Sequence, residues 1–588
     1  MPTISMPGAR LNWPRGLVVT LTCIAIFLPL FLIFYQSFLS APFFMPNKEL
    51  GLDAYRFIVD DPDFVQAFKN GLILAGGLTA IAVPLGGMLA FLMVRTDLPG
   101  RGAIAPLLLV PIFVSPMVMG FGYVVSMGPV GFYSTWAKQL LGFIPWNIYS
   151  FTSIVIIAGL THVPHVYLYA SSALKSLGSD VEEAARVAGA SPLQVMMNVS
   201  LPMIMPALAY AGVLVFFLGF EVFGLVLVLG DPEGHLVLAT YLYKLTNKLG
   251  TPSYHLMAAV AVCLVMVTAP LVMMQRWLLK SANKYVSIKG KGARQKAMPL
   301  GRWKWLAFAL LAGWLLFTIV LPISGIVLRS FVQYWGEDVK LADVLTLQHF
   351  RDIMEQPSLM RGILNTVLIG VVGGALAVAC YSAIALAMHR KPDGITRLLD
   401  YSVLVPRAIP GLLAGLSFLW VFLFVPSWLD SFLKGSDNDL AMWLSAHLIP
   451  ALREVRSTIF ALWLAYSVVW LAYGMRLIST ALLQVGPELE EAARAVGARR
   501  GQVTRDVTLP LIKYGLLGAW LMVFLIFERE YSTGVYLLSP GTEVIGAMLV
   551  SLWAGGSTDL VAALSFINIT LVAIGLGIAL RFGVKLHN

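Results

Sequence analysis

The chain has 588 residues, 58% of them hydrophobic and 12% charged, with a formal net charge of +10. A soluble protein carries about a quarter charged residues, so a string of soluble domains is excluded and most of this polypeptide belongs in lipid. The three cysteines, Cys23, Cys263 and Cys380, lie singly in apolar stretches, which excludes a disulfide framework and a paired-thiol metal site.

Apolar runs of about 18 or more residues, enough to cross roughly 30 Å of hydrocarbon, predict six helices in the first half. They fall near 17–38, 71–94, 103–126, 150–173, 204–229 and 255–279. The first is too long for a signal-peptide core and lacks a small-residue cleavage pattern, so it reads as an uncleaved span. A linker at 281–304 follows. From Arg276 to Lys304 the chain has nine basic residues and no acidic one, the composition of a retained segment beside anionic headgroups. Six more spans are expected near 305–328, 363–388, 398–425, 457–480, 512–536 and 560–580. The fold class is therefore all-α, a polytopic membrane protein of about twelve transmembrane helices in two six-helix halves, 1–280 and 305–588. Pro29, Pro84, Pro164, Pro322 and Pro410 are expected inside spans, where neighbouring helices re-satisfy the freed carbonyls. Gly76-Gly77 and Gly373-Gly374 are read as close helix packing.

With both termini cytoplasmic, 25 of the 41 basic residues fall on the cytoplasmic side, 13 outside and three, Arg407, Arg476 and Arg529, within spans. That asymmetry follows the positive-inside rule. The positive charge reports topology, and no nucleic-acid partner is expected.

The second half repeats the first. Gly178 to Pro202 reads GSDVEEAARVAGASPLQVMMNVSLP, and Gly486 to Pro510 reads GPELEEAARAVGARRGQVTRDVTLP, without a gap at an offset of 308. Upstream, Asn70, Arg95 and Pro111 match Asn365, Arg390 and Pro406 at an offset of 295, so the second half has gained 13 residues around 426–456. Each half crosses an even number of times, so the copies are parallel, related by an axis along the membrane normal, and both loops face the cytoplasm.

In the first copy Ser179 and Glu182 form an expected capping box, and Glu182-Glu183 place negative charge at a helix N-terminus. Ala184, Ala185 and Ala188 favour the helix, Gly189 ends it, and Ser191-Pro192-x-Gln194 starts a second helix toward Leu201-Pro202. In the second copy Pro487 and Glu488 open the first helix, while Arg499-Arg500-Gly501 replaces the second cap, a less well specified start. A short helix with a small-residue face and fixed carboxylates, displayed twice on one side, suits a groove on a partner protein.

Glu183-Ala184-Ala185, Gly189, Val199 and Leu201-Pro202, repeated as Glu491-Ala492-Ala493, Gly497, Val507 and Leu509-Pro510, resemble the EAA motif of binding-protein-dependent ABC importers. The resemblance implies a fused permease of the type I kind, located in the bacterial inner membrane, with 1–280 and 305–588 as its two permease domains. It implies that the loops 178–202 and 486–510 are coupling helices that fit clefts on a cytoplasmic ABC ATPase homodimer. The coupling residues would be Glu183, Ala184, Ala185, Gly189, Leu201 and Pro202, with Glu491, Ala492, Ala493, Gly497, Leu509 and Pro510. It further implies delivery of cargo by a periplasmic or extracellular substrate-binding protein. No GxxxxGK[ST] loop occurs, so no cofactor is expected in this chain, and ATP and Mg²⁺ would belong to the partner ATPase. Arg529-Glu530-Tyr531-Ser532-Thr533 and Ser539-Pro540-Gly541-Thr542-Glu543 look most like the second half of ferric-iron permeases. Ferric iron is thus the expected cargo, with thiamine, a polyamine or an aminoalkylphosphonate as alternatives.

Ionisable side chains within spans face cavities or one another. Glu221 and Glu528 each follow their loop-ending Leu-Pro by about 18 residues, roughly 27 Å along a helix. They are expected near the outer face with Arg529 and Glu530, and Arg407 nearer mid-membrane, these five lining the translocation path or its gate. His162 and His165 share a helical face around Pro164 but lack a third ligand nearby, so no metal site is expected. No nucleophile and base pair suggests a catalytic residue. The rival class is an ion-gradient-driven secondary transporter with two six-helix halves. Asp97-Leu98-Pro99-Gly100-Arg101 vaguely resembles that group's loop motif but lacks its basic residue after the aspartate.

Overall fold

The computed structural model describes residues 13–43, 45, 47–176, 180–247, 253–282, 297–390, 393–435 and 438–581. Among them the secondary structure is helical, with three isolated β-bridges and no strand ladder. Among the described residues, nine helices are long and apolar enough to cross a membrane: Arg15–Ser37, Pro62–Arg95, Phe151–Ser176, Tyr254–Gln275, Trp303–Ser330, Pro357–Met388, Gly411–Lys434, Arg500–Arg529 and Thr558–Arg581. Counting each of three bent pairs as one span brings the number to the expected twelve: Arg101–Phe113 with Pro116–Leu141 at 100°, Pro192–Met203 with Met205–Glu221 at 74°, and Ile459–Val469 with Leu471–Leu482 at 64°.

Proline explains most departures from the expected spans. The stretch near 103–126 is broken because Val114 is extended and Pro116 opens the next helix, a position where its missing N–H costs nothing. The span expected near 398–425 lies further along, at Gly411–Lys434, because Pro410 precedes the helix instead of lying inside it. The short helices Gly394–Ser402 and Val405–Ala408 come before it. Pro29, Pro84 and Pro164 do lie inside helices. Three π-helical turns, Met196–Ser200, Leu316–Val320 and Thr504–Thr508, each run directly into a Leu-Pro pair, at Pro202, Pro322 and Pro510. A proline ring clashes with the carbonyl four residues back, and a widened turn relieves that clash while the helix continues.

Contacts gather the chain into two compact units that divide it differently from the sequence halves. One comprises the described residues of Phe34–Thr366 and those from Glu528 onward. Here Pro62–Arg95 packs along Phe151–Ser176 and Met205–Glu221. Gly77 permits that approach, since a Cβ there would stand 2.4 Å from Val155. The opening helix of the second half, Trp303–Ser330, belongs to this unit. Trp314 Nε1 donates to the Leu160 carbonyl at 3.2 Å, and the Tyr123 hydroxyl donates to Phe317 at 2.9 Å.

The other unit comprises the described residues up to Ile33 with Val367–Phe527. The opening helix of the first half is tied there by Arg15, which donates to both Asp393 oxygens at 2.5 and 2.7 Å, to Thr396 Oγ1 at 2.9 Å and to the Ala387 carbonyl at 3.0 Å. Each half's first helix thus groups with the core of the opposite half. The 13-residue gain is occupied by a helix, Asp439–Val455, whose N-cap Asn438 accepts from Leu440 N at 3.1 Å. Asp430 ties this helix back by accepting from Ser445 at 2.5 Å and Arg453 at 3.1 Å.

Of the expected 281–304 linker, residues 283–296 lie outside the described residues. Its end docks on the first unit: Met298 N donates to the Arg95 carbonyl at 2.8 Å, and Leu300 N to Asp97 Oδ1 at 2.8 Å.

Candidate functional site

The first repeated loop folds as a helix, Asp180–Val187, a reversal at Gly189, and a second start at Pro192. Gly178 and Ser179, and with them the expected Ser179 capping box, lie outside the described residues. Gly189 adopts φ +92°, the left-handed region where a side chain is strained. Gly189 N donates to the Arg186 carbonyl at 2.9 Å and Ala190 N to Ala185 at 3.0 Å, the two bonds of a Schellman motif. A Cβ at Gly189 meets no atom within 4 Å, so backbone conformation, and not packing within the chain, calls for glycine. Ser191 then forms the expected capping box: Gln194 N donates to Ser191 Oγ at 3.3 Å, and Ser191 N to Gln194 Oε1 at 2.8 Å.

The second copy, Pro487–Ala495, has the same geometry. Gly497 has φ +89° and open space at its Cβ, and Gly497 N and Ala498 N donate to Arg494 and Ala493, both at 3.0 Å. Arginine has no side-chain acceptor, so Arg499 supplies only half of the second box, through its N–H to Gln502 Oε1 at 2.8 Å. The helix starts there nonetheless, at Arg500. Exposure follows the offset of 308: Glu183, Ala184 and Gly189 are exposed and Ala185 half-buried, as are Glu491, Ala492, Gly497 and Ala493. Leu201 and Leu509 are half-buried where the loops rejoin the spans, and Pro202 and Pro510 are exposed.

Of each glutamate doublet, the first member is buried. Glu182 is 5% exposed and Glu490 2%. Glu182 Oε2 stands 3.2 Å from Arg95 Nε, and Glu182 Oε1 accepts from Ser200 Oγ at 2.7 Å. Glu490 Oε2 stands 3.1 Å from Arg390 Nη1, while Glu490 Oε1 accepts from Thr508 Oγ1 at 3.1 Å and meets His389 Nε2 at 3.0 Å. Burial by itself pushes the Glu490 carboxyl up; hydrogen bonds from His389 and Thr508, with the charges of His389 and Arg390, outweigh it and hold the group below the usual carboxylate range. The hydroxyl in each case lies on the π-helical turn ahead of the Leu-Pro. Each short helix is therefore pinned at one buried carboxylate between the end of one span and the start of another, leaving its alanine face outward. In the sequence Arg95 and Arg390 stand out only as landmarks of the repeat, and Ser200 and Thr508 carry no role of their own. The signal was present, since all three positions recur.

The intramembrane charges separate into distinct settings. Glu221 ends the helix Met205–Glu221, and by the offset of 308 its counterpart is Arg529, which ends Leu509–Arg529. Glu528 corresponds to Phe220. Glu221, Arg529 and Glu530 lie within electrostatic range of the Tyr531 hydroxyl, which accepts from Gly224 N at 3.0 Å. Arg529 also donates to the Ile112 carbonyl. Glu530 turns back on its own chain, accepting from Ser532 N and Oγ at 3.1 and 2.8 Å and from Thr533 N at 3.0 Å. Glu528 accepts from Asn568 Nδ2 at 2.8 Å. Arg407 lies in the other compact unit, half-buried in the turn Val405–Ala408. His162 and His165 stack with ring centroids 5.4 Å apart, and among the described residues no group of three or more His, Cys, Asp or Glu suited to a metal occurs.

Residues 82–284 and 353–587 match the family of binding-protein-dependent transport system inner membrane components. The ferric transport system permease protein FbpB of Actinobacillus pleuropneumoniae is 24% identical over 543 residues, covering 91% of this chain and 72% of that one. The Fe(3+)-transport system permease protein FbpB 2 of Haemophilus influenzae is 22% identical over 535 residues, covering 91% and 92%. Among solved structures, a bacterial ABC transporter involved in the import of the acidic polysaccharide alginate aligns with a TM-score of 0.38 at 21% identity, covering 46% of this chain and 94% of that chain.

Proposed function

The chain belongs to the family of binding-protein-dependent transport system inner membrane components, the membrane permeases of ABC importers, and from that premise we propose how it works and what it carries. Its two short helices, Asp180–Val187 and Pro487–Ala495, are coupling helices that dock on a cytoplasmic ABC ATPase homodimer. Glu183, Ala184, Ala185 and Gly189 meet one ATPase subunit, and Glu491, Ala492, Ala493 and Gly497 the other. ATP and Mg²⁺ act on that partner. A substrate-binding protein on the outer side delivers the cargo, and both termini of the chain face the cytoplasm.

The observation that carries this reading is the duplicated geometry: an exposed helix of small residues, ended by a left-handed glycine and pinned by a buried carboxylate, present twice in one chain. ATP favours one arrangement of the ATPase pair, and a rigidly pinned helix passes that bias to the spans on either side of it. Leu201-Pro202 and Leu509-Pro510 join the helices to the spans that receive the motion. Glu221, Arg407, Glu528, Arg529 and Glu530 line the path or its gate. Ferric iron is the cargo favoured by the two relatives named for ferric transport, with thiamine, a polyamine or an aminoalkylphosphonate as the other candidates.

The test is to purify the chain from its native membrane and reconstitute what accompanies it. Two copies of an ATPase, and ATP-dependent uptake of the ligand carried by the binding protein, are expected. Ion-gradient-driven flux through the chain alone, indifferent to nucleotide, would sink the reading in favour of a secondary transporter.

A further inference from the structure

We propose that Glu528, Asn568 and Ser565 form an intramembrane binding site for one small monovalent inorganic cation, independent of the cargo. All three are buried, at 1%, 2% and 0% exposure. Asn568 Nδ2 donates to Glu528 Oε1 at 2.8 Å and to the Glu528 backbone carbonyl at 3.4 Å, so the carboxylate and the amide face each other. Their remaining oxygens, Glu528 Oε2 and Asn568 Oδ1, have no hydrogen-bond partner among the described residues, and neither has Ser565 Oγ. Ser565 and Asn568 are three residues apart on the helix Thr558–Arg581 and share a face. Of the neighbouring charged residues, Arg529 donates to the Ile112 carbonyl and Glu530 accepts from Ser532 Oγ and Thr533 N.

Three buried oxygens left without partners in a membrane-spanning region are costly. A cation satisfies a carboxylate oxygen, an amide oxygen and a hydroxyl oxygen together, the ligand types that hard cations take. Charge selects the ion. One carboxylate balances a single positive charge, whereas a divalent or trivalent ion leaves net charge in a low-dielectric setting. Packing does not require a carboxylate here, since the repeat places a buried phenylalanine, Phe220, at the corresponding position of the first half.

The test uses the full permease with its ATPase in nanodiscs, melted in sodium chloride and in N-methyl-D-glucamine chloride at equal ionic strength. Sodium is expected to raise Tm saturably, by roughly 2–4 °C. Asn568→Leu is expected to abolish the shift. Ser565→Ala, the milder change, should melt as wild type in N-methyl-D-glucamine and need at least about tenfold more sodium for half the shift. Identical wild-type melting in both salts overturns the proposal. So does a sodium shift unchanged in both variants, or a shift that follows pH and not sodium.

Discussion

Arg390 Nη1 stands 3.1 Å from Glu490 Oε2, and Arg95 Nε stands 3.2 Å from Glu182 Oε2. The same ion pair thus occurs at both repeated loops, with its glutamate buried each time beside a hydroxyl on a π-helical turn. An exposed pair contributes little, but a buried carboxylate stripped of its partner is a strong penalty. The pairs therefore hold each helix in one position relative to its spans.

Arg95→Ala leaves Glu182 unpaired at a cost of about 3–5 kcal/mol. Substrate-stimulated ATPase activity should fall by tenfold or more while the chain still inserts into the membrane. The double variant Arg95→Leu/Glu182→Leu removes both charges and should recover stability relative to Arg95→Ala in a thermal melt. If it melts lower than the single variant, the pair has no role as an anchor.

Gly189→Val and Gly497→Val each force a branched residue into left-handed backbone, roughly 1–2 kcal/mol of local strain. Gly189→Asn should be milder, because asparagine tolerates that conformation. Since a Cβ meets nothing within the chain at either site, the expected signature is reduced stimulation of the ATPase with little change in Tm. Normal stimulation in both valine variants would remove the loops from coupling.

Asp393 caps Gly394–Ser402 by accepting from Thr396 N at 2.9 Å and binds Arg15 through both oxygens. The Arg15 hydrogen bonds, with the cap, hold its carboxyl well below the usual carboxylate range. A depressed folded-state pKa means that this contribution is complete above the unfolded value, about 3.9, and is lost only as pH falls through the lower folded value. Hydrogen exchange of the Thr396 amide, corrected for intrinsic pH dependence, should show constant protection from pH 8 to pH 5 in the wild type. Asp393→Ala should lose that protection at every pH.

Glu221→Gln and Glu528→Gln are expected to lower cargo uptake by tenfold or more while leaving assembly with the ATPase intact, as read by transport into proteoliposomes and by co-purification. Unchanged uptake in both variants would take these residues out of the path.

Much of this protein was legible in its composition and its repeat. Up to twelve spans follow from hydrophobic length, the helix and reversal of each repeated loop follow from Gly189 and Gly497, and the second start of the first loop follows from the Ser191 cap. These are local signals, decided by residues within a turn or two of one another. The misplaced span near 398–425 failed on a local signal as well, since Pro410 reads equally as an in-helix kink or as the residue before a helix.

Which glutamate of each doublet is buried was not legible, because Glu182 and Glu183 are chemically identical and only the approach of Arg95 and Ser200 distinguishes them. The same holds for Glu528, which aligns with a phenylalanine and meets Asn568 from another helix, and for the opening helices, which pack with the half they do not precede. The sequence by itself determined the class of molecule, most of its spans and the shape of its repeated loops, because hydrophobic length and helix capping act over short stretches of chain. Tertiary structure alone decided the ion pairs, the buried Glu528–Asn568 contact and the exchanged helices, because burial and charge pairing depend on groups brought together from distant parts of the chain.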